Sequence, residues 1–117
     1  MRGRRAPGVG AQFLPEKWAD VAIPHRGAFE VRLRSVDPVA VRAALDLRDA
    51  RATVAKLIDG WRDLEDVRGD TVLYTPATLA EVLADEAIVE AILAGIADKL
   101  RYVREMAQRR AERKALA

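Results

Sequence analysis

Between residues 86 and about 114 the chain carries no proline, and Val89, Ile92 or Leu93, Ile96, Leu100, Val103 and Met106 recur at three- and four-residue steps. That spacing lines the apolar side chains along one face, so the segment is predicted to be one long amphipathic helix. Gly95 is the residue that opposes it, at a cost of about 1 kcal/mol relative to alanine. The stripe fades after Met106 and residues 108–114 are polar all round, so the far end is predicted to project from the body or fray. One stripe cannot bury itself, and the rest of the chain must supply its cover.

Upstream, three capped starts organise the chain. Asp85 stands where a carboxylate caps the first turn of the last helix, and Thr75-Pro76 opens a short helix whose Leu79, Val82 and Leu83 share a face. Asp37-Pro38 opens another. From there a long helix is predicted to reach Asp59, with Val41, Ala44, Leu47, Ala50, Val54, Leu57 or Ile58 and Trp61 along its stripe and Gly60 as its C-terminal cap. Residues 62–74 read as a connector turning at Gly69-Asp70.

Ahead of the helices, Phe29, Val31 and Leu33 alternate with Glu30, Arg32 and Arg34, the period-two pattern of a half-buried strand. Trp18, Val21 and Ile23 offer a companion strand, with Pro24, His25, Arg26 and Gly27 as the turn. A lone two-stranded hairpin is marginal in water, so its apolar face must lie on the helices, and its open edge is a candidate interaction surface. The expected fold is therefore α-rich, of the α+β class: a small N-terminal β-hairpin followed by three helices, long, short and long. The expected organisation is a flexible basic arm over 1–15, a single helical domain over 16–106 and a basic C-terminal extension over 107–117. Apolar stripes that outrun their neighbours call for self-association, so a homo-oligomer is expected.

Charge is segregated along the chain. Arg2, Arg4 and Arg5 open it, and Lys99, Arg101, Arg104, Arg109, Arg110, Arg113 and Lys114 dominate its close. Between Asp63 and Asp98 nine carboxylates face Arg68 and no other arginine or lysine. A chain so divided attracts partners of either sign, with contacts that weaken as salt rises. The first ten residues are basic but lack the apolar core of a signal peptide, and no stretch approaches the ~20 apolar residues of a membrane span, so neither secretion by that route nor membrane insertion is expected.

Catalytic chemistry finds few carriers. The absence of cysteine removes disulfides, thiolate nucleophiles and cysteine-based metal sites. His25 is the only side chain that titrates near neutrality, and it falls in the predicted turn. Asp85, Glu86 and Glu90 share a helix face, yet a hydrolytic or metal site needs carboxylates converging from separate elements. Gly8 and Gly10 have neither the preceding strand nor the lysine of a phosphate loop. The reading is a protein that is not an enzyme and uses no metal or cofactor. The basic closing helix, with Arg104, Arg109 and Arg110, suits phosphates or a protein partner. Glu105 and Glu112 interrupt it, and Tyr102 is its only aromatic.

Residues 57–96, LIDGWRDLEDVRGDTVLYTPATLAEVLADEAIVEAILAGI, resemble the small tail assembly chaperones of long-tailed phages and prophages. In that family a helix ends in a Trp motif, here Gly60-Trp61. An acidic glycine-containing connector follows, here 66–70, and then an aromatic before a capped start, here Tyr74-Thr75-Pro76. The segment KWADVAIPHRGAFEVRLRSVDP matches the family's N-terminal β element more loosely. The resemblance implies a chaperone that binds the tape-measure protein, keeps its long hydrophobic helices soluble and helps tail-tube proteins assemble around it in the bacterial cytoplasm. The residues carried over as partner contacts are Trp61, Gly69, Tyr74, Leu79 and Leu83. The Arg-Gly leader and the basic extension depart from the family pattern. Two other readings compete: a small nucleic-acid-binding regulator using the basic helix, and a structural tail or connector protein.

Overall fold

The computed structural model describes residues 17–24 and 26–116. The expected basic arm over 1–15 and His25 lie outside the described residues. The hairpin forms as β1, Trp18–Ile23, and β2, Gly27–Leu33, paired antiparallel with Trp18 opposite Arg32 and Ile23 opposite Gly27. Arg26 donates its backbone N–H to the Ile23 carbonyl, and Gly27 takes a φ of 104°, a conformation costly for any residue with a Cβ. Alternation does what the sequence requires: Phe29, Val31 and Leu33 are buried while Arg32 stays in solvent.

The segment expected as one long helix is instead two helices and a strand. α1 spans Pro38–Leu45 and α2 spans Ala50–Leu57, after which the chain extends into a third strand, β3, Ile58–Arg62. Asp49 causes the break, because its carboxylate accepts the Arg51 backbone N–H at 3.0 Å and caps a fresh helix. Thr53 fastens the two pieces: its buried hydroxyl lies 3.2 Å from the Ala44 carbonyl and 3.0 Å from that of Asp49. Gly60 is consequently no helix cap but a strand residue beneath the Arg32 guanidinium, and Trp61 belongs to a strand rather than a helix end.

β3 pairs antiparallel with β2, giving a three-stranded sheet in the order β1-β2-β3 with an irregularity between Arg32 and Leu33. The hairpin edge expected to be open is therefore occupied on the β2 side. Cross-strand charges hold the outer face: Arg62 reaches Glu30 through two bonds of 2.8 and 3.1 Å, and Arg32 reaches Asp59 at 2.7 Å. Arg62 also lies over the Trp18 ring, 3.9 Å from its centroid.

The connector turns at residues 66–70 with Gly69 at a φ of 86°, and Glu65 bridges Thr71. α3, Pro76–Leu83, starts at Thr75, whose hydroxyl and that of Thr78 each accept the other's backbone N–H. Arg51 donates to the Leu83 carbonyl at its far end, 2.6 Å away. α4, Glu86–Leu116, begins on Asp85, whose carboxylate accepts the N–H groups of Ala87 and Ile88.

The inner face of the sheet packs on α4 through Ile88, Val89, Ile92 and Ile96, with Val54 and Leu57 closing the core from α2. The α+β class with an N-terminal hairpin thus stands, enlarged by one strand and one helix. Gly95 explains itself here. A Cβ built on it would lie 2.3 Å from the Asp20 carbonyl oxygen, so the helix backbone runs directly against β1.

Candidate protein-binding surfaces

The residues carried over from the phage family divide into two groups. Trp61 is only 7% exposed; its indole N–H donates to the Val72 carbonyl at 2.8 Å, and its ring meets Tyr74 edge-on at 4.8 Å. Leu79 and Leu83 are half-buried against the same core. These four side chains therefore stitch β3 to the connector and α3 to the body. Gly69 is exposed and serves the turn. Around this unit the connector presents apolar side chains with no cover: Val67 is 89% and Leu73 70% exposed. Both flank the Gly69-Asp70 turn in an otherwise acidic connector, where an apolar side chain has nothing to pack on.

Arg104, Arg109 and Arg110 lie far from that unit along α4. The last fully buried residue of this helix is Ile96. Leu100, Val103 and Met106 extend the stripe as half-exposed positions, Tyr102 is 57% exposed, and every residue from 107 to 116 is exposed. The helix runs on unbroken to Leu116, so the polar far end projects, one of the two outcomes that its sequence predicts. Its geometry carries it about 24 Å past Leu100.

A third surface combines elements that the sequence keeps apart. On the outer side of β1 and β2, α4 walls a shallow groove whose floor includes Ala22, Ala28, Ala91 and Ala94. Asp20, Glu30, Asp63 and Asp98 stand around it. Glu30 is held by Arg62 and Asp98 by Arg101, whereas Asp20 and Asp63 make no ion pair among the described residues. Asp63 occupies the left-handed region, φ 63°, which turns the chain out of β3; aspartate tolerates this better than most residues.

Two carboxyls titrate below their ordinary range. Glu30 is lowered first by its hydrogen bonds from Arg62, against a smaller opposing effect of burial. Asp85 is lowered first by Arg26, 3.0 Å away, again opposed by burial and then helped by the N–H groups of Ile88 and Ala87. A folded-state pKa below the unfolded one stabilises the fold above the unfolded value and loses that contribution as pH falls through the folded one. Urea midpoints should therefore be flat near neutrality and drop below about pH 4. Arg62→Gln should shrink that drop in the Glu30 contribution; an unchanged acid limb would show that the pair does not couple to folding.

Among the described residues no group of histidine, cysteine and carboxylates is arranged to hold a metal, and no helix is long and apolar enough to cross a membrane. Together these features define an α+β domain whose distinctive surfaces are a projecting basic helix, an acid-rimmed groove and an uncovered apolar connector. Compared with known protein families, curated proteins and solved structures, the chain matches none of them.

Proposed function

We propose that this chain is a phage tail assembly chaperone, a non-enzymatic protein of the host cytoplasm that binds the tape-measure protein and assists assembly of the tail tube around it. The observation that carries the reading is the uncovered apolar surface on a well-packed body: α4 outruns its own core with Leu100, Val103 and Met106 half-exposed, and Val67 and Leu73 face solvent. Such surface on a stable domain suits transient cover of another protein's apolar helices. The resemblance over residues 57–96 supplies the partner.

Co-expression with the tape-measure protein of the same genome tests it. The tape measure should become soluble and co-elute with the chain, and Val67→Asp with Leu73→Asp should weaken the complex while leaving the melting temperature unchanged. A tape measure equally soluble alone, with no complex on elution, would sink the proposal. The exposed arginines of α4 favour a second reading, a nucleic-acid-binding regulator. It requires retardation of a short duplex in a low-salt gel, lost when Arg104, Arg109 and Arg110 become alanine.

A further inference from the structure

We propose that the acid-rimmed groove receives the basic end of α4 from a second copy of this chain, in a head-to-tail contact that goes beyond the chaperone reading and does not depend on it. Charge complementarity is the first argument. Asp20 and Asp63 stand at the groove without cationic partners among the described residues, while residues 99–114 carry seven lysines and arginines against Glu105 and Glu112. The floor of Ala22, Ala28, Ala91 and Ala94 lacks bulky side chains, which lets an incoming helix lay the stripe of Leu100, Val103 and Met106 close to the backbone.

Geometry excludes the chain's own tail as the occupant. α4 is unbroken over Glu86–Leu116, and the groove flanks its first half, so its last half points away. The same helix sets the symmetry. Ala94 in the groove and Val103 on the exposed stripe are nine residues apart, about 2.5 helical turns, and so lie on opposite faces. Two copies side by side about a two-fold axis would match one surface and turn the other away. A head-to-tail contact uses both, and each copy then offers its groove to one neighbour and its tail to the next. About four turns of helix make a small interface, so the association is concentration-dependent and salt-sensitive.

The test measures molecular mass by light scattering and sedimentation for the full chain, at rising concentration in low and high salt. A groove variant carries Asp20→Asn, Asp63→Asn and Asp98→Asn; a tail variant carries Arg104→Gln, Arg109→Gln and Arg113→Gln. All six side chains are exposed, and melting curves verify that both variants fold. The wild type should associate beyond a dimer at low salt, with a dissociation constant rising about tenfold or more in high salt. Each variant should be monomeric alone, and their mixture should give a 1:1 complex and nothing larger, because one intact contact remains per pair. A wild type that stays monomeric at low salt, including one that instead retards duplex DNA, overturns the proposal. So does a groove variant that associates as well as wild type, or a mixture that forms no complex.

Discussion

Replacing Gly95 by alanine should destabilise the protein by about 1–3 kcal/mol, the cost of forcing extra volume into a packed contact. Helix propensity alone argues the reverse, since alanine is favoured over glycine by about 1 kcal/mol inside a helix. The steric effect wins because the obstacle is backbone: the new Cβ would meet the Asp20 carbonyl at 2.3 Å and the Val21 side chain at 3.3 Å, and a strand cannot swing aside as a flexible side chain can. Ala94→Gly is the matched control. Position 94 is exposed on the same helix, so the loss there should be near the propensity value. Thermal melts of the two variants decide the matter; an alanine at 95 that raises the melting temperature would mean that α4 stands further from β1.

The second large effect is at Trp61. Truncation to alanine should cost about 3–5 kcal/mol, as for other buried large aromatics. Trp61→Phe keeps most of the ring but leaves the Val72 carbonyl without its donor, for a loss of about 1–3 kcal/mol. Urea unfolding should rank the variants wild type, phenylalanine, alanine. An alanine variant of wild-type stability with impaired partner binding would show Trp61 to be a contact residue instead of a structural one.

The local signals in the sequence were strong where a single element answered to a single pattern. The capped starts at Asp37, Thr75 and Asp85, the alternation through Phe29, Val31 and Leu33, and the stripe of the last helix all correspond to observed elements. The exception is residues 38–62. Their apolar positions fit one helical stripe, but they also fit two short helices and a strand; the Asp49 cap breaks the helix, and pairing with β2, about thirty residues earlier, draws out the strand. Gly60 misled for a related reason, because glycine suits a helix end and a crowded strand equally. The aromatic pair of Trp61 and Tyr74 was visible as residue types, though not as a mutual contact. The groove was invisible: alanines leave no hydrophobic signal, and its walls meet only because Gly95 lets a helix touch a strand.

That contact has a mechanical consequence. The helix is held against β1 and the core as far as Leu100, and beyond it about sixteen residues continue as a rod some 24 Å long. A tilt of about 10° of that rod would displace its tip at Leu116 by about 4 Å, most of the pitch of one helical turn. By letting the helix seat this closely on β1, Gly95 sets the direction in which the basic tip leaves the body, and a small change in that seating would be magnified along the rod.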